Sequence, residues 1–319
     1  MILRAIFFLA LLIPAGTTLP ARAADLEFPV GSPIGVVPPP GFVASKRFPG
    51  FENADSESMI MLLALPTQAF AEIEATMTAE AVKAQGVTEE KREALTPPSG
   101  RAQMVVGTAE ENGQKFRKWM FVGLVPGGVA LAAVRVADSS RQTYSDDVIR
   151  TSLLTITARP SVPIDEQLSL MPFKVNELSG LRIVRVLGGR GVFLTEGAKD
   201  SPDPSEQPVF VASIGQGGPE QTSERPNFAR NMFTGLGEFK DVRILSGDML
   251  RLGGGSMPTH ELQAEAKDAK TNAPMRIVQW VRFGQGVFIR MVGVARADDW
   301  LKSFSRFRAV RDGIAPREE

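Results

Sequence analysis

The sequence predicts an α+β protein of two similar domains. Each is an antiparallel β-sheet with helices packed against it, in the order strand–helix–sheet–helix. Three observations support this prediction. The 319 residues include 43% apolar and 23% charged residues, enough of the former for a sizeable core and too few of the latter for a disordered chain. Removing a 23-residue N-terminal segment leaves about 296 residues, the length of two ordinary domains. A tryptophan-bearing apolar strand, a glycine turn and a second apolar strand occur once in each half.

The N-terminal segment opens on Met1-Ile-Leu-Arg4, continues through the apolar run Ala5–Ala15 and ends in Ala21-Arg22-Ala23. A basic start, a short apolar core and a small-x-small site define a secretory signal peptide over residues 1–23, cut after Ala23. An apolar run of 11 residues is too short to span a bilayer, which needs about 20. The chain has no cysteine, which excludes a lipid-anchored cysteine, a disulfide framework, thiolate zinc and iron–sulfur sites, and a cysteine nucleophile. After Ala23 no stretch reaches 18 apolar residues, so no transmembrane segment is expected once the signal is removed. These readings predict a periplasmic or secreted protein. Basic and acidic residues balance at 36 each. Residues 24–160 carry 13 basic and 16 acidic side chains and residues 161–319 carry 21 and 20, a balance that argues against nucleic acid as partner.

The first domain is assigned to residues 24–160. Met59–Leu65 reads as a strand. Pro66-Thr67 opens a helix with Phe70, Ile73, Met77 and Ala81 on one face, closed by Gly86. Lys118–Gly123, opened by Trp119, passes through Pro126-Gly127-Gly128 into the strand Val129–Ala137. Ser145 caps a last helix carrying Tyr144, Val148 and Ser152 near one face, with Asp146 and Asp147 favouring its dipole. Two prolines make Ala158–Pro163 a linker.

The second domain is assigned to residues 161–319. Leu181–Leu187 and Val192–Glu196 flank Gly188-Gly189-Arg190-Gly191, a tight hairpin turn with Arg190 exposed. Gly197–Pro208 reads as a long polar loop, and Val209–Ile214 as the counterpart of Met59–Leu65. Ser223-Glu-Arg-Pro226 opens a helix with Phe228, Met232 and Leu236 on one face, closed by Gly237. A hairpin joins Met249–Leu252 to Thr259–Ala266. Gln279–Gly284, opened by Trp280, turns at Gln285-Gly286 into Val287–Ala295, and Asp298 caps a final helix with the stripe Trp300, Phe304 and Phe307.

This element order, repeated over about 130 residues in each half, resembles the PsbP-like fold, a group that includes the extrinsic photosystem proteins and the bacterial DcrB-like periplasmic proteins. The resemblance implies an antiparallel sheet with helices against it. It brings no shared catalytic site, and its members mostly bind or stabilise partners. Two copies in one chain depart from the single-domain members.

Candidate chemistry is sparse. His260, the single histidine, lies on an alternating stretch that puts His260, Leu262 and Ala264 on one face and Glu261 on the other. That placement reads as structural, since a zinc site would need several further ligands. Gly254-Gly255-Ser256-Met257-Pro258 approaches the nucleophile elbow, but Pro258 stands in place of the second glycine and a strand follows where a helix is required. Phosphate-cradling spacing is missing at Gly188–Gly191. Trp119 and Trp280 read as core residues, with ligand platforms as the competing reading. Sequence reasoning therefore assigns no catalytic, ligand-binding or metal-ligating residue and no cofactor. It favours a non-enzymatic exported protein that binds a protein or envelope component. The alternative is an enzyme or small-ligand-binding protein using a cleft between the two repeats.

Overall fold

The computed structural model describes residues 25–251 and 258–317. The signal-peptide segment and Ser256 with its glycines lie outside the described residues. The chain divides into two compact units between Pro160 and Ser161.

Unit 1 contains β1 (Ile34–Gly35), β2 (Val43–Ala44), β3 (Gly50–Asn53) and β4 (Ser58–Leu65), then α1 (Ala69–Thr76) and α2 (Ala79–Ala84). It continues through β5 (Val87–Leu95), β6 (Ala102–Glu111), β7 (Gln114–Val125), β8 (Gly128–Ala137), α3 (Asp146–Leu153) and β9 (Thr157–Ala158). Unit 2 contains α4 (Ile164–Ser169), β10 (Phe173–Val175), β11 (Arg182–Leu187), β12 (Gly191–Thr195), β13 (Val209–Gln216) and α5 (Arg225–Thr234). It closes with β14 (Phe239–Arg251), β15 (Pro258–Asp268), β16 (Pro274–Phe283), β17 (Val287–Arg296), α6 (Trp300–Gly313) and β18 (Ile314–Pro316).

Each unit is built on a seven-stranded antiparallel sheet, in the order β2-β3-β4-β8-β7-β6-β5 in unit 1 and β11-β12-β13-β17-β16-β15-β14 in unit 2. The orders are the same, strand for strand. Trp119 and Trp280 occupy the fifth strand of their sheets, and both are fully buried. Each unit also closes a two-stranded ribbon, β1 with β9 and β10 with β18, which ties its first segment to the segment after its last helix. These ribbons have no local sequence signal, because each strand is only two or three residues long.

Helices cover both faces of each sheet, and this is why the central strands read as near-continuous apolar runs. In unit 1, α3 packs Ile149 and Leu153 against Phe51, Ile60, Trp119 and Phe121. On the opposite face Phe70 of α1 meets Val122 and Val129, and Val82 of α2 meets Val87 and Val105. In unit 2, Phe307 and Val310 of α6 join Phe210, Trp280 and Met291. Across that sheet Ala229 and Phe233 of α5 sit on Leu262, Ile277 and Val281.

Several local expectations are corrected. The helix expected over 66–86 is two. Thr78 leaves the helical region, and its hydroxyl accepts from Ala81 N at 3.2 Å to cap α2. The Arg92 guanidinium donates to Met77 O at 2.7 Å, holding the break open from β5. Neither tryptophan opens its strand, because β7 begins at Gln114 and β16 at Pro274. A single 3₁₀ turn, Thr222–Glu224, precedes α5, which therefore lacks a side-chain cap from Ser223, and the helix ends at Gly235 rather than Gly237. Asp298 likewise lies in a 3₁₀ turn, Ala297–Asp299, and pairs with Arg296 at 3.6 Å instead of capping α6. The strand match is shifted by two residues. Trp119 faces Val134 and Trp280 faces Met291, so Ala133 matches Arg290, and their partners Met61 and Ser213 match each other.

Candidate functional site

The charged residues singled out by the sequence serve the fold. Asp146 opens α3 as expected, capped by Ser145 Oγ, which accepts from Val148 N at 3.4 Å. Its larger role is to receive both arms of the buried Arg117 guanidinium, at 3.0 and 2.7 Å, while Glu90 holds a third nitrogen. This bidentate bond holds the Asp146 carboxyl below the usual carboxylate range despite partial burial. Arg190 is exposed in the three-residue connection between Leu187 and Gly191, where its N–H donates to Leu187 O at 3.0 Å around Gly188 and Gly189, whose φ of 54° and 68° suit a hairpin turn.

His260 is buried on β15 between Met249 and Val281, sharing a face with Leu262 and Ala264 as the alternation predicted. Burial pushes its pKa down, Arg230 pushes it further, and Asp248 opposes both. Its Nδ1 has no hydrogen-bond partner among the described residues. Glu261, on the other face, is buried too. It accepts from Trp280 Nε1 at 2.6 Å and from Gln263 Nε2 at 2.7 Å, and Arg311 Nη1 lies 3.6 Å away. The Arg311 guanidinium also sits 5.0 Å from the centre of the Trp280 ring. Among the described residues no group of three or more His, Cys, Asp or Glu side chains gathers as a metal-ligand set.

The most distinctive surface lies on the outer face of the unit 1 sheet, which sequence reasoning did not single out. On β4 the residues alternate: Ser58, Ile60 and Leu62 are buried, the last two in the core beneath α3, whereas Met61 and Leu63 face outward at 40% and 48% exposure. The helix pair α1–α2 packs on β5, β6 and β7 and on the Val129 end of β8, and leaves Met61 and Leu63 of β4 uncovered. A groove of about 320 Å³ results, walled by Met61, Leu63 and Leu131 on the sheet, Met77 at the helix break, and Met120 on β7. Thr76 and Gln85 supply its polar edge. The visible signal was in the sequence: Met59–Leu65 is apolar at both parities, whereas a strand with a solvated outer face would alternate.

At the position of Leu63, unit 2 is filled. Gly215 matches Leu63, and a Cβ there would lie 2.3 Å from the Phe288 ring. The missing side chain admits Phe288, which meets Phe228 of α5 edge-on at 5.2 Å. A groove open at this position is therefore particular to unit 1. No described helix is long and apolar enough to cross a membrane.

No protein-family model matches the chain, and no curated protein matches it. Among solved structures, it is similar to LpqN of Mycobacterium tuberculosis, described as involved in cell envelope biogenesis, at 13% identity and a TM-score of 0.36, covering 46% of this chain and 83% of that one. It is similar to the cyanobacterial PsbP of Synechocystis sp. PCC 6803 at 12% identity and a TM-score of 0.29, over 44% and 94% of the two chains. It is also similar to TplEi, a type VI secretion immunity protein of Pseudomonas aeruginosa solved with a peptide, at 10% identity and a TM-score of 0.28, over 92% and 98%. The resemblance to PsbP-like domains is one of fold.

Proposed function

We propose that the protein is exported, loses residues 1–23, and acts in the periplasm or outside the cell by binding a protein or envelope component rather than by catalysis. The carrying observation is the unit 1 groove. Two large apolar side chains, Met61 and Leu63, stand exposed beside an apolar hollow of about 320 Å³. A contiguous apolar patch of this kind marks an interaction surface, since burying it gains about 25 cal/mol per Å². Methionine adapts its shape to an incoming side chain, and Met61, Met77 and Met120 converge there. The buried charges support the same reading, because Arg117, Glu261 and Arg311 are committed to partners inside their own units.

Two measurements test this. N-terminal sequencing of protein extracted from its native host should begin at Ala24, and a chain beginning at Met1 would contradict export. Met61→Glu with Leu63→Glu should leave the protein folded with only a small change in melting temperature, because both side chains are about half exposed. The same double variant should lose whatever co-purifies with wild-type protein from the envelope fraction. Retention of the same partner at the same yield would sink the groove as the binding surface.

A further inference from the structure

Unit 2 holds a cavity of about 380 Å³ on the α5 side of its own sheet, walled mainly by Phe193, Val211, Phe239 and Val292. Arg290 of β17 reaches into the same wall, opposite Ser213 of β13. Its Nε donates to Gln279 Oε1 at 2.8 Å and its Nη2 to Met232 O at 2.8 Å. Gln279 is held in turn, donating to Ala229 O at 2.8 Å. Both acceptors of Arg290 are neutral, and among the described residues no carboxylate oxygen lies within 4.0 Å of its guanidinium. Burial depresses its pKa, with no neighbouring charge offsetting the effect. A guanidinium stays charged under any physiological condition. Holding it in a partly desolvated place without a counterion costs free energy that a bound anion would recover.

The rest of the cavity fits such an anion. Arg185 adds a second cation, its guanidinium 4.8 Å from the centre of the Phe193 ring, against the one carboxylate of Glu238. The register-matched residues of unit 1 are Ala133 for Arg290 and Met61 for Ser213, so the charge is particular to unit 2. We propose that this cavity binds a small organic anion with an apolar tail, of the alkyl carboxylate class. Its head pairs with Arg290 beside the Ser213 hydroxyl, and its tail lies along Phe193, Val211 and Val292. This site is independent of the unit 1 groove.

Calorimetric titration of the mature protein with decanoate, kept below its micellar concentration, tests the assignment. One saturable site per chain is expected, with decanol at least tenfold weaker and acetate without detectable heat. Arg290→Gln should weaken decanoate tenfold or more. Because Arg290 also holds α5 through Met232 O, two further variants leave that bond intact. Val211→Trp and Ser213→Leu fill the cavity from β13 and should each abolish binding with the melting temperature preserved. Leu63→Glu, in the other unit, should bind decanoate as the wild type does. Equal affinity for decanol, non-saturating uptake, or wild-type binding by the folded cavity-filling variants would overturn the proposal. Loss of binding in Leu63→Glu alone would move the ligand to unit 1 and equally overturn it.

Discussion

Trp119 and Trp280 occupy matched, fully buried positions and meet different neighbours. Trp280 faces Glu261 across β15 and donates to it at 2.6 Å, whereas Trp119 faces Val106 and its indole N–H has no acceptor among the described residues. Replacement by phenylalanine should therefore cost more at 280 than at 119. The excess should be about 1–3 kcal/mol, because Trp280→Phe strips a donor from a buried carboxylate while Trp119→Phe removes an unpaired donor. Urea unfolding monitored by circular dichroism measures the difference, and equal losses would refute the account. His260 gives a pH prediction. Its folded-state pKa is below the ordinary value, so the unfolded chain takes up the proton first as pH falls. Stability should decline as pH drops from about 6.5 toward the lowered folded value, and His260→Leu should flatten that decline. As the chain has a single histidine, the comparison is clean. An identical slope in both proteins would show that His260 is not the titrating group.

Helix boundaries and strand pairings differ in how much of them is written locally. The hairpins β7–β8, β11–β12 and β16–β17 were legible, because each places glycine between apolar runs of strand length. The break between α1 and α2 was not, because the Arg92 guanidinium that braces it comes from a strand 15 residues away. Thr78→Ala removes the α2 cap and should cost about 1 kcal/mol, seen as faster amide exchange over 79–84. Unchanged exchange there would argue for one continuous helix. At Gly293 the constraint is space. A Cβ would stand 2.5 Å from the Phe307 ring, and the matched residue in unit 1 is Val136. Gly293→Val should destabilise unit 2 by about 1–3 kcal/mol through overpacking under α6, and a melting temperature equal to wild type would contradict the packing described.

At the scale of the whole chain, the duplication is legible and the site is not. Composition, the two tryptophan hairpins and the terminal helices disclose two copies of one sheet order. What separates the copies is a handful of matched positions, Met61 against Ser213, Leu63 against Gly215 and Ala133 against Arg290, whose correspondence requires the strand register. A reading that aligned Met59 with Val209 could not pair them correctly. Their divergence leaves unit 1 with an open apolar groove, which we propose meets a partner outside the cell. A photo-crosslinking amino acid placed at position 63 and irradiated in the native host tests it most directly. Position 301, where Leu301 is 86% exposed on α6, serves as the control. One dominant envelope adduct is expected from position 63 and none of that species from position 301. No adduct from position 63, or the same adduct in equal yield from both, would contradict it.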